Sequence, residues 1–117
     1  MASIWSLSRE LTCPQCGDVI GRATLRRFTG WLTITLPDGS VAGFSEGAVQ
    51  LRVAQQRLDN AAPQDRARAR RQVDYLQRVA GEQVYDLRCP RGHHTMIASP
   101  HIILAMRRTD GDLARLG

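Results

Sequence analysis

Over residues 31–36 apolar side chains alternate with threonines, and a turn-forming run of Pro37, Asp38, Gly39 and Ser40 separates them from a second apolar stretch at 41–44. Period-two alternation with β-branched residues predicts a strand, and proline and glycine at these positions predict a hairpin. Ahead of it, residues 4–11 read as a strand. Residues 19–28, with Val19, Ile20, Leu25 and Phe28 as the apolar positions, read as the returning arm of an earlier hairpin. The period then changes. Ser45 is the expected N-cap, with Phe44 packing on Val49 as a hydrophobic staple. Ala48, Leu51, Ala54 and Leu58, flanked by Val49 and Val53, recur at helical spacing and predict a helix over 46–59. After a break at 60–62, Pro63 is expected as the first residue of a second helix. Its stripe is Ala69, Val73, Leu76 and Ala80, and Gly81 ends it. Short strands are expected at 84–88 and 95–98. Ser99 and Pro100 then cap and open a short helix through 108, and 112–117 is expected to form one more frayed turn.

These elements predict one α+β domain over 1–117. Its small antiparallel β core comes from 1–44 and 84–98, with an antiparallel helical hairpin inserted at 45–82 and a C-terminal helix and tail at 99–117. The face of Ile102, Ile103 and Met106 is expected to be core or an oligomer contact rather than a ligand pocket.

All three cysteines and two of the three histidines fall in two short stretches, Cys13-Pro14-Gln15-Cys16-Gly17 and Cys89-Pro90-Arg91-Gly92-His93-His94. A CxxC turn brings two sulfurs to one side of a tight loop. A thiolate-rich set completed by one imidazole suits tetrahedral zinc, with metal–sulfur bonds of about 2.3 Å. The expected ligands are Cys13, Cys16, Cys89 and His93, with His94 as the alternative. Gly17 and Gly92 supply the backbone freedom that such turns need. A redox CxxC would leave the second stretch unexplained, and no thioredoxin-like βαβ pattern surrounds the first. Four protein ligands close the shell, so the zinc is expected to be structural rather than catalytic.

The paired stretches resemble the knuckles of zinc-ribbon proteins, in which two hairpin tips grip one metal. The resemblance covers residues 11–22 and 84–99. It departs from the family in using histidine as the fourth ligand and in placing 72 residues between Cys16 and Cys89, where a spacer of about 12 to 20 is usual. The resemblance implies a small zinc-stabilised module of the kind that contacts nucleic acid or the machinery that handles it.

Charge adds to that picture. The net charge is +5, carried by 16 arginines and no lysine, which favours acidic partners. The lysine-free bias is better explained by a GC-rich genome than by selection for phosphate contacts, and it suits a small bacterial or bacteriophage protein. On the second helix Arg68, Arg71 and Arg78 point away from the apolar stripe while Arg66 and Arg70 flank it. Asp74, three or four residues from Arg70, Arg71 and Arg78, is expected to pair much of this charge within the helix, so this face reads as a solvated outer surface, with a phosphate-binding surface as the alternative. Tyr75 is the stacking candidate, and Arg22, Arg26, Arg27 and Arg91 are further candidate contacts. His101 is read as a surface or packing histidine.

No nucleophile motif, glycine-rich phosphate loop or zinc deaminase signature is present, and the segment between the knuckles has no histidine for a metal-dependent nuclease. No small-molecule substrate is evident. No run of 18 apolar residues or secretion signal occurs, so no membrane association and a reducing, cytoplasmic setting are expected. The expected function is therefore a non-enzymatic zinc-stabilised module contacting nucleic acid or the transcription and translation machinery. The alternative is a docking subunit of a larger protein assembly, such as a phage particle or a polymerase.

Overall fold

A computed structural model of the chain describes residues 6–26 and 29–116. Ile4, Arg27, Phe28 and Gly117, which enter the expectations above, lie outside the described residues. The architecture is α+β, with seven strands in two sheets and three α-helices among the described residues.

β1 (Ser6–Thr12) and β2 (Val19–Arg26) form the first hairpin, antiparallel, with Ser6 opposite Arg26 and Leu11 opposite Gly21. A bulge between Leu11 and Thr12 shifts the pairing as the strand enters the first cysteine turn, which is where bulges re-aim a chain. β3 (Leu32–Thr35) pairs antiparallel with β2. The second predicted hairpin closes only in part. The turn at 37–40 forms, with the Leu36 N–H donating to the Ser40 carbonyl at 2.8 Å, but Val41 makes no more than an isolated bridge to Thr35. The chain then leaves this sheet. β4 (Phe44–Glu46) pairs with β5 (Gln83–Arg88) of the second sheet, where the Phe44 ring meets Tyr85 with centroids 5.4 Å apart.

Both helices of the hairpin are present, with different ends from those predicted. α1 (Gly47–Asp59) starts one residue late, because Ser45 belongs to β4 and Glu46 is the N-cap, with no side-chain cap bond. Its first free N–H donors are met by backbone instead. Gly47 N–H reaches the Glu82 carbonyl at 2.8 Å and Ala48 N–H reaches that of Ala80 at 3.0 Å, satisfying groups that a helix start leaves open. The expected Phe44–Val49 staple gives way to the Phe44–Tyr85 contact, and Val49 stays half exposed. Pro63 opens a single 3-10 turn (Pro63–Asp65) rather than the helix itself, and α2 (Arg66–Arg78) follows. Val73 and Leu76 of the predicted stripe are buried. Past the helix end Val79, not Ala80, is the buried residue.

β5 runs antiparallel to β6 (His94–Ala98), and α3 (Ser99–Arg108) follows with Ala98, not Ser99, as its N-cap. Alternate residues of these strands face two different cores. Val84, Met96 and Ala98 pack under the helical hairpin with Ala54, Val73 and Leu76. Tyr85, Leu87 and Ile97 join Leu11, Ile20, Ile34, Ile102, Met106 and Leu116 on the other side. The second sheet is thus covered on both faces, which explains why Met96, Ile97 and Ala98 form an unbroken apolar run. Ile102 and Met106 belong to the core.

The tail is a strand, not a frayed turn. β7 (Leu113–Arg115) pairs parallel with β1, giving the sheet order β3-β2-β1-β7. Ala114 and Leu116 are fully buried there, and the Glu10 N–H donates to the Asp112 carbonyl at 2.7 Å. Burying this alternating pair outweighs the ordering of a short tail. No helix among the described residues is long and apolar enough to cross a membrane.

Candidate metal centre

Each cysteine stretch is the tip of a hairpin, the first joining β1 to β2 and the second joining β5 to β6. The first turn closes through Gly17 N–H to the Cys13 carbonyl at 2.9 Å and Cys13 N–H to the Asp18 carbonyl at 2.8 Å. The second repeats the pattern, with Gly92 N–H to the Cys89 carbonyl at 2.9 Å and Cys89 N–H to that of His93 at 3.0 Å. Gly17 and Gly92 sit at φ +78° and +87°, left-handed conformations that a side chain would disfavour.

The two tips meet. One ligand atom from each of Cys13, Cys16, Cys89 and His93 lies within 4.8 Å of every other, so the four are close enough to hold a metal ion. The Cys16 and Cys89 sulfurs are 3.8 Å apart, and His93 Nδ1 is 3.3 Å from the Cys89 sulfur and 3.9 Å from that of Cys13. A tetrahedral ion with bonds of about 2.3 Å to sulfur and 2.0–2.1 Å to nitrogen requires sulfur–sulfur edges of about 3.8 Å and sulfur–nitrogen edges of about 3.6 Å. The donor set fits in chemistry and in size, and all three cysteines are free of disulfides. Cys13 and Cys89 are buried, while Cys16 and His93 are partly exposed.

His93 is the imidazole of the cluster. His94, the other histidine considered, is the first residue of β6, where it pairs with Arg88 and directs Nδ1 to Asp86 Oδ1 at 3.2 Å. His93 precedes the strand, at the end of the turn, and lies with the three sulfurs.

Crowding shifts two of the thiols in opposite directions. At Cys16 a backbone hydrogen bond from Asp18 favours the thiolate. Burial, the neighbouring sulfurs of Cys13 and Cys89 and the Asp18 carboxylate oppose it, and the thiol is pushed up to about 11. At Cys89 burial disfavours the thiolate, but hydrogen bonds from the His93 and Arg91 backbones and from the other two sulfurs outweigh it, and the thiol is lowered. A divalent ion held by the set would favour the thiolate at every sulfur.

The remaining sequence candidates are dispersed. Arg91 Nε bonds Asp18 Oδ2 at 3.1 Å, tying one knuckle to the other. Arg22 pairs with Asp112 at 3.2 Å and Glu10 at 3.8 Å. Arg26 is exposed on β2, and Arg27 lies outside the described residues. Arg68, Arg71 and Arg78 are exposed on α2, and the expected pairing with Asp74 does not form within 4 Å among the described residues. Tyr75 is half-buried. Its hydroxyl accepts from the Ala98 N–H at 2.9 Å and lies 2.6 Å from His101 Nδ1, with the two rings 5.5 Å apart. Burial holds this hydroxyl above the usual tyrosine range, against the Ala98 hydrogen bond and the nearby Arg78 charge, which lower it. His101 is therefore a packing partner of Tyr75.

Sequence reasoning missed Arg108 and Arg115, which with Arg68 and Arg71 line a cleft of about 720 Å³ beside the first knuckle. The four lie far apart along the chain, and only the β7 pairing and the docking of α3 bring them together. No family model matches the chain, and neither the curated proteins nor the solved structures contain a significant match to it.

Proposed function

We propose that this chain is a non-enzymatic binding module, stabilised by a structural zinc ion, whose arginine surface contacts nucleic acid or the machinery that handles it. The observation that carries the reading is uncompensated charge. Among the described residues only Arg22, Arg57 and Arg91 pair with carboxylates, and Arg66, Arg68, Arg70, Arg71 and Arg78 of α2 have no acidic partner within 4 Å. A helix that leaves five guanidinium groups free on a small domain is suited to polyanions, whose counterions are released as phosphates are neutralised. Zinc is supported by the Cys3His donor set and its tetrahedral spacing. A structural role is supported by four protein ligands, which leave no coordination position for water or substrate. The likeness to zinc ribbons rests on two knuckles that each cap a β hairpin. Here, however, the hairpins belong to separate sheets.

A docking role is favoured by a different observation. Trp31 and Val41 are each 66% exposed and Phe44 and Val49 each 48%, along a segment that includes the free edges β3 and β4. Salt titration separates the two. With labelled single- and double-stranded oligonucleotides, nucleic-acid contact predicts binding at low salt and a steep fall in affinity as salt rises. An absence of binding to either form at low salt would overturn the proposal and leave docking.

A further inference from the structure

The cleft beside the first cysteine turn gathers four arginines. Its arginines come from three elements, Arg68 and Arg71 from α2, Arg108 from α3 and Arg115 from β7, and no carboxylate lines it. Arg115 is fixed by donating to the Pro14 carbonyl at 3.3 Å, so the metal-holding turn forms part of the wall. Its base is the edge of β6, where Met96 and Ile97 line it although both side chains are buried. On one side stand the rings of Tyr75 and His101, held by the hydrogen bonds through the Tyr75 hydroxyl.

Positive charge along a groove with fixed aromatic rings is the arrangement that follows a single strand, the phosphates meeting guanidinium groups while bases stack. Reading a duplex instead requires a convex element that enters a groove about 12 Å wide. Here the charge lines a concavity. At about 720 Å³ the cleft is of the size that takes small-molecule-sized groups, room for a few linked nucleotides but not for a double helix.

We infer that the cleft between α2, β6, α3 and β7 binds a short stretch of single-stranded nucleic acid, with Arg68, Arg71, Arg108 and Arg115 on its phosphates and the Tyr75–His101 pair against a base. This rests on the nucleic-acid reading above and narrows it to one surface and one form of the polymer. A free nucleotide offers the same phosphate chemistry, so the test includes one.

The experiment is fluorescence anisotropy on the zinc-loaded 117-residue chain with a labelled oligouridylate and oligothymidylate of roughly eight nucleotides, a duplex of equal length, and a mononucleotide as competitor. The double variant R71Q/R108Q is compared with R52Q/R107Q, which removes two exposed arginines outside the cleft. Unchanged metal content and melting temperature confirm that each variant is folded. The expected result is single-strand binding that falls by on the order of tenfold or more in R71Q/R108Q, with a salt slope reduced by about 1.4, and little change in R52Q/R107Q. Tighter binding to duplex, equal losses in the two variants, or a mononucleotide that competes as well as the oligomer would each overturn the inference. If the wild-type protein binds nucleic acid and R71Q/R108Q binds equally well, the cleft is wrong and the broader function stands. If the wild-type protein binds no nucleic acid, both fall.

Discussion

Cys16 carries much of the chemistry of the metal centre. Held up at about 11 when no cation is present, it is a thiol through the neutral range and must lose its proton to ligate. Proton and metal therefore compete for it. Because the pKa is raised, the competition persists at every pH below about 11 and strengthens as pH falls. Apparent zinc affinity should drop by about tenfold for Cys16 alone with each unit of pH lowered, measurable by competition with a chromophoric chelator at several pH values. Among the ligands, C89S and H93A should lose stoichiometric zinc while H94A keeps it. Elemental analysis of the purified variants checks this, and metal retained in H93A with loss in H94A would reverse the assignment. The cysteines were legible in sequence because soft ligands are rare and were concentrated in two turns. Spacing favours His93 at the tip of the turn, since His94 would already begin the outgoing strand, but His94 stays sterically possible and the choice stays open. It depends on where β6 begins, and on Asp86 holding His94 elsewhere.

Among the elements, the start of α1 shows what periodicity does not report. The helical spacing of Leu51, Ala54 and Leu58 was visible in sequence, as were the stripe of α2 and the strands around the knuckles. The N-terminal cap was not, because it is made by the carbonyls of Glu82 and Ala80 some thirty residues on, which any sequence supplies equally. Gly47 is what permits it. A Cβ there would collide with the Val79 carbonyl and come within 2.8 Å of the Ala80 Cα, and backbone cannot swing aside as a flexible side chain does. G47A should cost at least about 1–3 kcal/mol, seen as a lower urea midpoint with an unchanged slope. G81A, which meets nothing within 4 Å, is the control and should be neutral or slightly stabilising. β7 escaped sequence reading for a related reason. Three residues carry almost no periodic signal, and their partner strand lies at the other end of the described chain.

For the whole molecule, the Cys13, Cys16, Cys89 and His93 cluster lies where an ion would link the two layers. Cys13 and Cys16 come from the tip of the β1–β2 hairpin in one sheet, while Cys89 and His93 come from the β5–β6 tip in the other. The exposed Arg91–Asp18 pair spans the same gap but contributes little on its own. Stripping the ion with a chelator should therefore lower the melting temperature by about 10 °C or more, followed by circular dichroism, and restoring zinc should reverse it. A melting curve indifferent to chelation would count against a structural ion.

The pairing of β7 with β1 bears on how the chain acquires this form. Thr12 and Ala114, in contact through a hydroxyl and a carbonyl, stand 102 residues apart, and Cys16 lies 73 residues ahead of Cys89. During synthesis the CxxC turn would emerge with its thiols unclaimed while the helices and β5 were still being made. The final closure then joins segments of the highest sequence separation, the kind of step that slows folding. The interval before that closure is when stray oxidants or a competing ion would do the most harm.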